Sequence, residues 1–346
     1  MHEQILHLLE NNANNIPALL GVLLVSVMAL GKGADWLVDE ATSLSLRSGI
    51  PRVIVGATIV SLGTTAPEAF VSVAAALYDQ PELALGNAVG SIICDTGLIL
   101  GVACVMAPLP FDRYLVNRQG WIQFACGMLL VVACVPWANP AAMMKEGGIL
   151  HMYTGWVFMV LLGVYLVWSI RQTGTVQDEP KEEGAEGDED HGSIATSVLK
   201  LIVAIGIVVV AADFLIGSVE LIAKKLEIPK EIIAATVVAF GTSLPELVTA
   251  IVAVRKNQGE LAVGNVIGAD ILNVLFVAGA AASVTPEGLK AEPFFFQLQF
   301  PTMILVLLIF RIAIFQAKGD KLTRPFGLFL LAVYGVYLIV NVTFIS

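Results

Sequence analysis

Two copies of one sequence unit make up this chain, and the repeat constrains its fold more than any other feature. The stretch from Gly56 to Glu68 reads GATIVSLGTTAPE, and the stretch from Ala234 to Glu246 reads AATVVAFGTSLPE, without a gap. The LALGNAVG that begins at Leu83 likewise returns as LAVGNVIG at Leu261. The chain is therefore a duplication, and each copy places a carboxylate inside an apolar segment.

The apolar segments are long enough to cross a membrane. Hydrophobic residues make up 57% of the chain, and the apolar runs are continuous rather than alternating, which favours helices over a barrel. We therefore predict an all-α integral membrane protein with ten transmembrane helices. The predicted spans are 17–38, 52–78, 84–106, 120–138 and 151–170 in the first copy, and 197–222, 230–255, 261–283, 297–316 and 325–344 in the second.

Five spans in each copy is an odd number, so the second copy enters the membrane with the opposite orientation. Two inverted five-helix repeats are typical of secondary transporters. The predicted units are a first repeat at 1–171, a linker at 172–196 and a second repeat at 197–346.

The linker holds most of the excess negative charge. It carries eight acidic residues and one lysine between Asp178 and Asp190, against a net charge of −10 for the whole chain. Its composition indicates a flexible, solvated spacer. Basic residues near the span ends, such as Arg47, Arg113 and Arg171, place the linker in the cytoplasm and both termini outside.

The sequence gives no indication of partners other than the lipid bilayer and transported ions. We expect no removable signal peptide, no cofactor, no nucleic acid and no obligate protein partner. The four cysteines fall inside predicted spans, where a thiol behaves as a small apolar side chain, and they form no zinc motif.

The second span of each copy is interrupted by proline and glycine. Pro67 and Pro245 each remove a backbone donor, which frees carbonyl oxygens inside the membrane. Such groups are tolerated there only where protein or a water-filled site satisfies them. The adjacent hydroxyl side chains add further oxygen atoms, and they belong to Thr64, Thr65, Thr242 and Ser243.

Four further polar side chains are predicted to meet these breaks near the midplane. Glu68 and Glu246 follow the prolines, and Asp95 and Asn273 lie twenty-seven residues further on. A buried anion costs about 2.5 to 3.5 kcal/mol unless it is compensated. An all-oxygen set with a formal charge of −3 is neutralised by one calcium ion together with one proton, or by about three sodium ions, and so predicts antiport through one shared site.

These motifs resemble the alpha-repeats of the calcium/cation antiporter superfamily, with prokaryotic sodium/calcium exchangers as the most similar branch. The resemblance covers 51–101 and 229–279. It implies that calcium is coordinated by Glu68, Asp95, Glu246 and Asn273. It also implies that sodium is held with help from the hydroxyl groups of Thr64, Thr65, Ser91, Thr242 and Ser243.

The chain departs from that family pattern in two respects. Ala269 stands where the first copy has Ser91 and where exchangers usually have serine, and the acid Asp95 in the first copy with the amide Asn273 in the second is the reverse of the arrangement in well-known prokaryotic members. Asp270 is an additional acid, since its repeat partner is Ile92. Residues expected to surround the ligands are Asn87, Asn265, Asp270, Ser61 and Ala239.

Three other functions compete with sodium/calcium exchange. A proton/calcium antiporter of the same fold would protonate Glu68, Asp95 or Glu246 instead of binding sodium. An intramembrane aspartyl protease would pair Asp95 with Asp270, but it gives the duplicated glutamates no role. A cation channel would need several weak sites in series, whereas inverted halves around one site favour alternating access.

Overall fold

The computed structural model describes residues 16–78, 80–171, 194–226, 241–317 and 319–345. The described chain is almost wholly helical. The helices are α1 Ile16–Ser48, α2 Arg52–Thr64, α3 Ala66–Leu77, α4 Pro81–Met106, α5 Arg113–Cys134, the short α6 Met143–Glu146, α7 Met152–Arg171, α8 Ile194–Lys225, α9 Leu244–Arg255, α10 Gly259–Ser283, α11 Phe295–Gln316 and α12 Arg324–Ile345.

Seven of the described helices are long and apolar enough to cross a membrane, and α2 with α3 forms an eighth if the bent pair counts as one span. Their positions follow the predicted spans closely. Helix α5 has the length of a span at 22 residues, but Arg118, Gln119 and Gln123 reduce its apolar character. Residues 227–240, which include the start of the predicted seventh span at 230, and residues 172–193 of the predicted linker lie outside the described residues.

Helix α1 extends ten residues beyond the predicted end of its span, to Ser48. The extension tolerates acids because basic side chains from other helices reach them. Lys256 Nζ lies 2.7 Å from Asp39 Oδ1, and Lys200 Nζ lies 3.4 Å from Glu40 Oε1. The helix ends at Gly49, whose φ of +68° is a conformation that glycine adopts without a Cβ penalty.

Helices α4 and α10 form the centre of the molecule. The apolar stretch of α10 is 94% buried and that of α4 is 72% buried, whereas α1, α7, α8 and α12 are each one-third buried or less. Helix α2 lies against α10 at glycine positions. A Cβ on Gly56 would lie 2.6 Å from Leu261 O, so only glycine permits this approach.

Helices α1 and α8 form a long antiparallel pair at the periphery. Arg47 Nη1 donates to Ser197 Oγ at 2.9 Å near one end, and Leu19 packs against Leu221 near the other. The same pair contacts the centre, because Gly63 of α2 lies against Ile205 of α8.

Two small antiparallel sheets join the loops, a feature that the all-α prediction did not include. Strand β1 (Leu109–Pro110) pairs with β4 (Lys321–Leu322), and β2 (Gly148–Leu150) pairs with β3 (Leu289–Ala291). Each sheet contains one strand from each copy, so the two halves are tied together outside the helices.

Candidate functional site

The predicted helix break is present in the first copy. Helices α2 and α3 meet at Thr65 and are bent by 43°. Pro67 has no N–H to donate to the carbonyl of Gly63 four residues earlier. In the second copy the backbone at the N-cap residue is similar, since Ser243 before α9 has φ −85° and ψ 8°, compared with −83° and −5° for Thr65. Residues 227–240, which precede this junction, lie outside the described residues.

Glu68 and Glu246 lie in the first turn of the helix that follows each break, and both are about 1% exposed. Thr65 Oγ1 donates to Glu246 Oε1 at 3.2 Å, which joins the first break to the second carboxylate. The hydroxyl of Thr64 lies beside the same carboxylate. Glu68 Oε2 and Glu246 Oε2 are buried and accept no hydrogen bond.

Asp95 and Asn273 meet in the centre of the molecule. Each begins a π-helical stretch, at Asp95–Ile99 in α4 and at Asn273–Ala278 in α10, a local widening that is frequent at functional sites. Asn273 Nδ2 donates to Asp95 Oδ2 at 3.3 Å, and Ser243 lies beside Asp95. Asp95 Oδ1 and Asn273 Oδ1 have no hydrogen-bond partner.

Asn87 connects the two copies. Its Nδ2 donates to Ser72 Oγ at 2.9 Å and to the carbonyl of Glu68 at 3.2 Å, and its Oδ1 accepts from Thr242 Oγ1 at 3.3 Å. Asn265, its repeat partner, is fully buried, yet neither polar atom of its side chain has a partner. The two asparagines thus occupy equivalent positions with different bonding.

The remaining predicted residues that the structure describes fall near this centre. Ser91 is buried on α4, one turn before Asp95. Ser61 is fully buried on α2, where its hydroxyl lies against Gly268 of α10. Asp270 is buried on α10, and its carboxylate is within electrostatic range of Asp95. Ala239 lies outside the described residues.

Sequence reasoning missed three polar side chains that support this centre. Thr96 and Gln123 both donate to Asp270 Oδ2, and Tyr165 Oη donates to the carbonyl of Ala57 at 3.0 Å. Gln123 could have been found as an uncharged polar residue in a predicted span. Nothing in the sequence links Tyr165 to Ala57, because α7 and α2 are distant in the chain.

The site offers oxygen atoms of several kinds. Glu68 is within electrostatic range of Glu246 and Asp95, but in the described part of the chain no three His, Cys, Asp or Glu side chains close around a single metal position. A cation held here would therefore need hydroxyl, amide or backbone oxygens as well as carboxylates. Hard cations accept such mixed oxygen shells.

Comparison with known proteins relates this architecture to ion exchangers. The chain is 33% identical to inner membrane protein YrbG of Escherichia coli over 319 residues, covering 92% of this chain and 94% of that protein. It is 28% identical to sodium/calcium exchanger MaX1 of Methanosarcina acetivorans over 344 residues, covering 92% and 97%.

A solved structure of the sodium-calcium exchanger NCX_Mj matches with a TM-score of 0.78 at 27% identity, covering 94% of this chain and 99% of that one. The family model described as sodium/calcium exchanger protein matches residues 18–171 and 196–343, which are the two halves on either side of the predicted linker. The chain therefore belongs to the sodium/calcium exchanger protein family.

Proposed function

We propose that this protein is an antiporter that exchanges calcium for sodium by alternating access at the site described above. The observation that carries the proposal is the equivalent placement of Glu68 and Glu246. Both lie in the first turn of a helix, after Thr65 or Ser243, both are about 1% exposed, and each keeps one carboxylate oxygen without a partner. Burying such oxygens is costly unless a cation compensates them.

The proposed ligands for calcium are Glu68, Asp95, Glu246 and Asn273. The first three supply a formal charge of −3, and the uncommitted oxygens of all four side chains are buried. The proposed additional oxygens, which we expect to matter most for sodium, come from Thr64, Thr65, Ser91, Thr242 and Ser243. Calcium accepts a flexible shell of six to eight oxygens, whereas magnesium demands rigid octahedral geometry, so this mixed set of oxygens fits calcium better.

The proposed membrane arrangement has ten spans in two inverted repeats. The seven membrane-length helices, the bent α2–α3 pair, α5 and the segment ending in α9 would supply them. The sheet pairing supports this count, because β1 and β4 follow the third and ninth spans, while β2 and β3 follow the fourth and eighth. Two loops that pair must lie on the same side of the membrane, which requires an even number of spans between them. Six spans separate β1 from β4 and four separate β2 from β3 in the proposed arrangement.

The proposed division of the chain is a first repeat at 1–171, a linker at 172–196 and a second repeat at 197–346. We place the protein in the inner membrane of a prokaryotic cell. Both termini would lie outside and the acidic linker would lie in the cytoplasm, since most basic residues near span ends fall on the linker side.

Proton coupling is the main alternative, and Ala269 is the observation that favours it. This residue is fully buried one turn before Asn273, where the first copy offers the hydroxyl of Ser91. Loss of that oxygen weakens one position at which sodium could bind. Protonation of a site carboxylate would then replace one sodium ion.

The test is calcium-45 uptake into proteoliposomes that contain the purified protein. One set is loaded with sodium, and a second set carries only a proton gradient at the same membrane potential. We expect uptake in the sodium-loaded set and none above background in the other. Uptake driven only by the proton gradient would show that protons, not sodium ions, are the coupling ions. No uptake in either set would refute calcium antiport.

A further inference from the structure

Asp270 belongs to a polar cluster that lies beside the proposed calcium site. The side chain is 2% exposed, on α10, one turn before Asn273. Its Oδ2 accepts hydrogen bonds from Thr96 Oγ1 of α4 and from Gln123 Nε2 of α5. Gln123 Nε2 also lies 3.3 Å from Thr96 Oγ1, so three helices meet at this point.

The second oxygen of Asp270 has no partner. Oδ1 is buried without a hydrogen bond, as is Asp95 Oδ1 on the neighbouring carboxylate. Among the described residues, none of the salt bridges reaches Asp270. The buried Arg311 is engaged elsewhere, with Asn117 Oδ1 and the ring of Trp121. Two neutral donors alone therefore hold an acid in the centre of the molecule.

The repeat shows that this acid is an addition to the duplicated unit. The equivalent position in the first copy is Ile92, which is fully buried and apolar. One residue earlier the second copy loses a hydroxyl, because Ala269 replaces the equivalent of Ser91. Successive helical residues point about 100° apart, so Asp270 does not refill the place of the missing hydroxyl but faces α4 and α5 instead.

We propose that Asp270, Thr96 and Gln123 form a separate site for one sodium ion next to the calcium site. This inference rests on the proposed function, and it assigns Asp270 a part in setting how many sodium ions exchange for each calcium ion. Asp270 Oδ1 and Thr96 Oγ1 supply two oxygens. Rotation of the Gln123 amide supplies a third, since its oxygen and nitrogen ends are interchangeable in shape.

The charge of the cluster selects a monovalent ion. One carboxylate with neutral oxygens is balanced by a single positive charge, whereas calcium sites gain affinity from several charged ligands. The nearby Asp95 adds attraction for a cation at this position but is already bonded to Asn273 Nδ2. A sodium ion here would compensate the buried acid without competing for Glu68 or Glu246.

The test is the number of sodium ions bound per chain, measured with sodium-22 by equilibrium dialysis of the purified protein. Asp270→Asn should bind one sodium ion fewer than the unaltered protein. Thr96→Val keeps every charge but removes a ligand, so it should weaken binding of that ion at least about tenfold. Gln123→Leu should weaken binding of the same ion. Gln119→Leu is its matched control and should not, since Gln119 is a buried glutamine on the same helix that donates to Ser169 instead.

The outcomes separate this proposal from the proposed function. Equal sodium binding by Asp270→Asn and the unaltered protein would overturn the site. A loss in Asp270→Asn that Thr96→Val and Gln123→Leu do not share would also overturn it, because the effect would then be one of charge alone. If sodium binding depends on all three residues while the unaltered protein transports no calcium, the sodium site stands and the proposed function fails.

Discussion

The contact between α2 and α10 gives a prediction whose size follows from the structure. In Gly56→Ala the added Cβ would lie 2.6 Å from Leu261 O and 2.9 Å from Asn265 N, which are backbone atoms that cannot rotate away. Overpacking of this kind costs about 1 to 3 kcal/mol. A gain of up to about 1 kcal/mol in helix propensity offsets part of that cost.

Gly163→Ala on α7 is the matched control, because nothing lies within 4 Å of a Cβ at that position. It receives the same propensity gain without the clash, so the two variants should differ by about 1 to 3 kcal/mol. At about 2 °C per kcal/mol for a chain of this size, the unfolding midpoint of Gly56→Ala should lie about 2 to 6 °C below that of Gly163→Ala. Thermal unfolding in one detergent measures this, and equal midpoints would refute the close packing of α2 on α10.

Three further predictions concern Asn87, Tyr165 and the acidic segment at 172–192. Asn87→Ala removes the bonds to Ser72, the Glu68 carbonyl and Thr242, so it should lower calcium affinity in a binding titration. The loss should be larger than in Asn117→Ala, because Asn117 bonds to Arg311 away from the site. Equal losses of affinity in the two variants would argue against a role for Asn87. Tyr165→Phe should lower thermal stability by about 0.5 to 1.5 kcal/mol through loss of its bond to Ala57, and an unchanged midpoint would contradict this. Replacing residues 172–192 with a neutral Gly/Ser segment should leave calcium affinity unchanged, and a large shift would make the acidic segment regulatory.

The helical architecture was largely predictable because a membrane-spanning helix requires a continuous apolar run, which is visible in the local sequence. Apolar runs located most spans to within a few residues, and the proline and glycine pattern identified the break at Pro67. The extension of α1 to Ser48 was not predictable, because its acids are balanced by Lys200 and Lys256, which are remote in sequence. The short loop strands were missed for the same reason, since each pairs with a strand from the other copy.

The burial of the candidate ligands was predictable where the repeat made them visible. Glu68, Glu246, Asp95 and Asn273 are buried as expected of ligands, and the bond from Asn273 to Asp95 joins two of them across the copies. Features without a repeat partner were harder to interpret. Nothing in the sequence shows which helices face Asp270, so its bonds to α4 and α5 emerge only from the three-dimensional packing.

The central claim is that Glu68 and Glu246 bind calcium together, and a calcium titration of purified protein tests it most directly. Glu68→Gln and Glu246→Gln should each weaken calcium binding at least about tenfold, or about 1.4 kcal/mol. Glu82→Gln is the control, because this glutamate is 38% exposed and lies 4.0 Å from Lys290. Calcium binding that is lost in neither site variant, or lost equally in Glu82→Gln, would contradict the account.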